Sequence, residues 1–213
     1  MPIDLGQLLA PEHCAVLTME LQEDVVGTRS SFPELSAAVR AGGVLDNAGR
    51  LLDAARQVGA GVVHCTAGFR SDRRGSATNS PLIAAMLRRP EHMVLGTPGV
   101  ELVPDLRAAP GDLVSDRHNG VSPFTGTDLD GTLRSLGVST IVATGVSLNL
   151  ALPGLAIEAV NLGYHVVIPS DAVAGVPADY GEAVLRHTLS LVATISTVDV
   201  IIDAWMGSQR TPA

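Results

Sequence analysis

The sequence predicts an α/β fold: a three-layer, doubly wound arrangement around a six-stranded parallel sheet. Two observations predict it. Short apolar runs of strand length alternate along the chain with stretches whose apolar residues recur at helical spacing. The strand-like runs are also apolar throughout rather than alternating with polar residues, as expected for strands buried on both faces. In such folds crossovers are right-handed and ligands bind at the carboxyl ends of the strands.

The elements follow in order. His13 to Glu20 (HCAVLTME) reads as a first strand ending on an acidic residue, and Leu21 to Phe32 as a polar loop. Pro33 opens a short helix, since its missing N–H costs nothing at the first helical position. Val44, Leu45, Ala48, Leu51, Leu52, Ala55 and Val58 mark an amphipathic helix closed by Gly59, and Gly61 to Thr66 is a second strand. Arg70 to Ser80 is a polar loop with three arginines; Pro81 to Arg89 is helical until Pro90 stops it, and residues 91 to 111 are mostly irregular. Asp112 to Asp116 is the third strand, and Thr127 to Leu136 a helix that Thr125 or Thr127 can cap. Ile141 to Ala143 is a fourth strand that breaks at Gly145 and leads into a helix, with Leu152, Leu155, Ala156, Ala159 and Val160 on one face. Tyr164 to Ile168, a helix over Asp179 to Val192, a sixth strand at Thr194 to Thr197 and a helix over Val198 to Met206 complete the chain. No repeat or linker interrupts residues 1–213, so a single domain is expected.

Composition narrows the function. Apolar residues make up 46% of the 213 and aromatics only 3%, so Ala, Val and Leu fill the interior. A net charge of −8 argues against nucleic acid as a partner. No apolar run reaches the roughly 18 residues of a membrane span, and the start lacks signal-peptide features. With Cys14 and Cys65 as the only cysteines, a reducing cytoplasm is the expected location. All 14 basic residues are arginine, which excludes any mechanism needing a lysine amine.

Polar residues at the ends of the first four strands should converge: Glu20, His64 to Thr66, Asp116 to Asn119, and Thr144 to Asn149. Glu20 can serve as a general acid or base, and His118 as its electrostatic partner or proton shuttle. Arg70, Arg73 and Arg74 can clamp a carboxylate-bearing ligand, or form a solvated loop. No Gly-x-Gly-x-x-Gly follows a strand and no Walker-type loop exists without lysine, so no nucleotide cofactor is expected. The six histidines lack metal-ligand spacing, and no metal is expected either. Cys65 stands as an alternative nucleophile or a buried thiol.

The segments Ser122-Pro-Phe-Thr-Gly-Thr-Asp-Leu-Asp130, Thr144-Gly-Val-Ser-Leu-Asn149 and Ala156 to Tyr164, followed by Asp171-Ala172, resemble the isochorismatase-like hydrolases, the cysteine hydrolase superfamily. The resemblance runs from about residue 13 to about 200. It implies an Asp after the first strand, a Lys after the third, and a Cys at the helix that follows the Thr-Gly-Val turn. Here those positions read Glu20, His118 (or Arg117, one residue away) and Ala151. The chain is thus a divergent member in which every member of the triad is altered. Ala151 cannot attack an acyl carbon, which closes the thiol route at that position. Members acting on a vinyl ether rely on the acidic residue instead, and Glu20, which reaches about 1.5 Å further than Asp, can do the same.

The resemblance therefore implies a thiol-independent hydrolase of a small carboxylated metabolite. Glu20 and His118 are its catalytic pair, and Arg70, Arg117, Phe124, Gly145, Val146, Ser147 and Asn149 bind substrate. A non-catalytic binding protein for a small molecule or partner is the alternative. The resemblance also implies a cis peptide near Val146–Ser147 and a homo-oligomer, for which the C-terminal helix around Trp205 is a candidate interface.

Overall fold

A computed structural model describes residues 5–208. Strands β1 (Cys14–Met19), β2 (Gly61–Ala67), β3 (Leu113–Arg117), β4 (Thr140–Val146), β5 (His165–Pro169), β6 (Val173–Ala174) and β7 (Thr194–Ser196) form one sheet. Its order is β3-β2-β1-β4-β5-β7, with β6 pairing to β4, and every pairing is parallel. The six-stranded expectation omitted β6, whose two residues are too few to show periodicity.

Alternation along β1 builds two cores at once. Cys14 and Val16 face one layer, with α2 (Pro33–Ala41), α3 (Val44–Val58) and α8 (Val198–Ser208) packed against it. Ala15, Leu17 and Met19 face the other, covered by α5 (Leu129–Ser135), α6 (Ala151–Asn161) and α7 (Ala178–His187). Both faces of the strand are thereby dry, which is why its sequence is apolar apart from Thr18, whose hydroxyl is bonded to His64. Two helices are shorter than the periodicity implies: α4 (Pro81–Leu87) ends before Arg88, and α7 gives way to a 3-10 turn at Leu189–Leu191.

The sheet order places the site. From β1 the chain moves outward through β2 and β3; β4 then pairs on the other side of β1, and the chain moves outward again. A crevice forms at the carboxyl ends where that direction reverses, between β1 and β4. Gly145 keeps the two strands close there: its φ is +107°, and a Cβ would stand 2.3 Å from the Met19 carbonyl oxygen.

One expectation is sharpened. The segment after β1 is a loop, as expected, but not one laid on the surface, for Leu21, Gln22, Asp24, Val25 and Val26 are all buried. The Gln22 amide explains how: it donates to the Ala67 and Val100 carbonyls at 2.9 and 2.8 Å and accepts from the Ala67 N–H at 2.9 Å. On the helix expected as an interface, Trp205 itself is buried: it is 1% exposed and its indole N–H donates to the Leu9 carbonyl at 2.8 Å.

Candidate active site

Glu20 leaves β1 in the left-handed region, with φ at 51°, and its N–H donates to the Cys65 carbonyl at 3.0 Å. That turn lifts its side chain above the sheet, where the Glu20 carboxylate accepts from Nη2 of Arg117, the last residue of β3. Both side chains are mostly buried, at 16% and 8% exposure. The third strand spans Leu113–Arg117, one residue later than its sequence suggests. That shift puts Arg117 inside the ladder and makes it the ion partner of Glu20. Arg117 Nη1 is buried and has no hydrogen-bond partner among the described residues.

His118 lines the same cavity but is held differently. Its Nδ1 lies 3.0 Å from the Gly68 carbonyl, so that nitrogen donates its proton there and Nε2 is left to the cavity. Asn119 beside it pins the Arg70 loop, donating to the Gly75 carbonyl at 2.8 Å and accepting from the Ala77 N–H at 2.7 Å.

The opposite wall comes from the β4–α6 turn. The Val146–Ser147 peptide is cis, as the sequence resemblance implied. Ser147 lines the cavity, and Ala151 opens α6 at 6% exposure. The turn's own bonds engage the N–H groups of Leu148 (to Ala174, 2.8 Å), Leu150 and Leu152 (both to Ser147). Those of Asn149 and Ala151 are not among its hydrogen-bonded donors. A helix N-terminus of this kind favours negative charge.

The space is in two parts. An inner cavity of about 60 Å³ is lined by Glu20, Arg117, His118, Ser147 and Ala151 under Phe69 and Ile83. A wider groove of about 590 Å³ continues from it past Phe32, Leu35 and Val176. Glu20, Leu82, Met86, Ser147 and Leu150 line both.

Other expected site residues lie elsewhere. Phe124 is 6% exposed and stacks on Tyr164 at 6.0 Å, a core residue rather than a ligand contact. Arg70 is exposed and pairs with Asp72 at 2.9 Å, away from both spaces. Arg73 turns its guanidinium onto the carbonyls of Arg89, Pro90 and His92 instead of clamping a ligand. Gly145 serves strand packing, as above. Val146 and Asn149 line the groove, but the Asn149 amide is consumed by Val176, accepting its N–H at 2.9 Å and donating to its carbonyl at 2.5 Å. Cys65 is 2% exposed, and burial pushes its thiol up to about 12. Sequence reasoning missed Leu82 and Met86; their i, i+4 spacing on α4 was the available signal.

A second charged group lies lower along β2. His64 bonds Thr18 Oγ1 at 2.8 Å through Nδ1 and Asp112 at 3.1 Å through Nε2. Arg56 donates to the same carboxylate at 2.7 and 3.1 Å, and the Ala109 N–H adds a bond at 2.8 Å. Burial opposes charge on Asp112, yet these donors hold its carboxyl below the usual range. Burial also lowers His64, against the pull of Asp112. Among the described residues, no three His, Cys, Asp or Glu side chains stand close enough to share a metal ion.

The sequence pattern of the isochorismatase domain matches residues 14–200. The chain belongs to the isochorismatase family of hydrolases. It is 27% identical over 207 residues to the ureidoacrylate amidohydrolase RutB of Rhizobium rhizogenes, covering 90% of this chain and 82% of that one. In fold it is similar to a cysteine hydrolase from Pseudomonas syringae pv. phaseolicola, with a TM-score of 0.81, 21% identity and coverage of 98% and 96%. An isochorismatase family protein from Desulfovibrio vulgaris superposes with a TM-score of 0.76 at 25% identity, covering 91% of this chain and 98% of the other. As expected of the family, the sheet is parallel and flanked by helices on both faces. No helix among the described residues is long and apolar enough to cross a membrane.

Proposed function

We propose that this family member hydrolyses a small carboxylated metabolite by acid/base chemistry at Glu20, without a thiol nucleophile. The observation that carries the reading is the unpartnered Nη1 of Arg117, buried on the wall that Glu20, His118 and the α6 N-terminus share. An unpaired buried donor costs about 1–3 kcal/mol, and a substrate carboxylate relieves that cost with a charge-assisted bond. The name of the Rhizobium rhizogenes relative, a ureidoacrylate amidohydrolase, supports a carboxylated substrate.

Roles follow from what each group can do. Arg117 stays protonated, so it takes the position's electrostatic role and moves no proton. Glu20, the anionic member of the ion pair, accepts a proton from water as the water oxygen bonds to the electrophilic carbon. His118, with Nδ1 fixed on Gly68, presents Nε2 to relay that proton to the departing nitrogen or oxygen. The Ala151 N–H and the Ser147 hydroxyl stabilise the developing oxyanion.

Replacing Glu20 with Gln keeps the shape and removes the base. Turnover across a panel of ureido acids, amides, esters and vinyl ethers should then fall by about 10²–10⁴-fold. Unchanged turnover would sink the assignment. Ala151 at the nucleophile position favours one other reading, a binding protein that retains the pocket; it predicts saturable binding without product in the unmodified chain.

A further inference from the structure

The two joined spaces differ in chemistry, and the difference specifies the substrate more closely. The inner cavity, at about 60 Å³, is far smaller than the groove and is lined by Glu20, Arg117 and His118. It suits the small polar end of a ligand, such as a carboxylate. The groove of about 590 Å³ is within the range of a pocket for a whole ligand. Its apolar lining includes Val25, Phe32, Leu35, Leu82, Met86 and Val176. Asn149 is already spent on Val176, and Glu34 is an exposed rim residue. Apart from the Ser31 hydroxyl near Phe32, the polarity not used within the fold is concentrated at the junction, at Glu20 and Ser147.

We infer that the substrate is an amphiphile: an amide or ester joining an apolar acyl group to a small carboxylic acid. This rests on the proposed carboxylate contact at Arg117. The carboxylate enters the inner cavity, the scissile carbonyl lies at the junction, and the acyl chain occupies the groove. Water adds its oxygen to the acyl carbon, the carbon–nitrogen or carbon–oxygen bond breaks, and the water proton passes to the departing amine or alkoxide. A ligand polar at both ends would face Phe32 and Leu35 with unpaired groups, whereas each methylene placed there is worth about 0.8 kcal/mol.

The test is a series of N-acylglycines, from N-acetyl to N-octanoyl, titrated into the full-length chain by calorimetry while glycine release is followed separately. The dissociation constant should fall by up to about four-fold per methylene, the conversion of that transfer energy. Phe32→Ala should weaken N-octanoylglycine by about ten-fold and leave N-acetylglycine unchanged. Glu34→Leu, at an exposed position, should tighten the octanoyl compound alone. A flat series overturns the inference, as does an octanoyl-to-acetyl ratio that Glu34→Leu leaves unmoved. So does sedimentation showing that a second copy of the chain covers the groove. A sloping series without glycine release keeps the amphiphile as the ligand but removes its cleavage and with it the hydrolytic reading; glycine release with a flat series keeps hydrolysis and overturns the apolar acyl group.

Discussion

Two clusters along β2 are built from the same three side-chain types, a carboxylate, an arginine and a histidine. In the lower one, Asp112 receives Arg56, His64 and the Ala109 N–H, and His64 uses both ring nitrogens. In the upper one, Glu20 meets Arg117 and, among the described residues, no more is satisfied: Arg117 Nη1 has no hydrogen-bond partner, and His118 bonds through one nitrogen only. The lower cluster fixes the irregular segment before β3 to the sheet. The upper one leaves its valences pointing into a cavity. Satisfaction, rather than composition, separates a structural network from a candidate site.

Substitutions can break this contrast. Asp112→Ala strands Arg56 and His64, whose side chains are 22% and 1% exposed, and should cost about 3 kcal/mol, the lower end for a broken buried pair. Urea unfolding reads that loss, and kcat should stay within about two-fold. Arg117→Met should behave in the opposite way. Stability should fall by less than Asp112→Ala costs, because the Glu20 carboxylate left behind is 16% exposed and regains water, whereas Asp112→Ala strands two cationic partners. Steady-state kinetics should show kcat/KM falling by roughly 10–100-fold, the worth of a charged hydrogen bond. Equal stability losses in both variants would erase the distinction.

Acid sharpens the contrast next. His64 and His92 are both lowered from their ordinary value of 6.5, burial being the first cause in each. His92 has a 1% exposed side chain with Asp24 3.9 Å from its Nδ1, and neither ring nitrogen has a hydrogen-bond partner among the described residues. The unfolded chain thus binds protons on these groups that the folded chain resists. Their contribution is complete above pH 6.5 and is lost as pH falls from there through the folded values. Asp112, held low, adds a further loss below its ordinary value of 3.8. Urea midpoints measured from pH 8 to 4 should be level and then decline below about 6.5; His64→Gln should flatten part of that decline. The smallest effect concerns the thiols. Burial pushes both Cys14 and Cys65 up to about 12, so a thiol reagent at pH 8 should modify neither in the native protein and both after unfolding. Rapid native modification of Cys65 that stops turnover would move the chemistry to that residue.

Much of the fold was legible because buried parallel strands and amphipathic helices write their burial directly into the chain. The first, second, fourth and fifth strands fall within a few residues of where the apolar runs put them. The site was legible only in part. Glu20, Ser147 and Ala151 lie at strand and helix ends that the sequence fixes well. The choice between Arg117 and His118 turned on a one-residue register that β-pairing, not local pattern, decides. Phe124 stands in a telling motif yet packs against Tyr164, since a motif records position and not side-chain direction. The groove was not legible at all: it joins α2, α4 and the β4–α6 turn, which meet only in three dimensions.

Glu20 adopts a backbone geometry that favours Gly, Asn or Asp over a longer side chain, at a cost of about 1 kcal/mol. Selection for folding and selection for chemistry therefore pull this position in opposite directions. A library randomised at residue 20 and sorted only for soluble, protease-resistant protein should enrich Gly and Asn. The same library sorted for product should return the carboxylates.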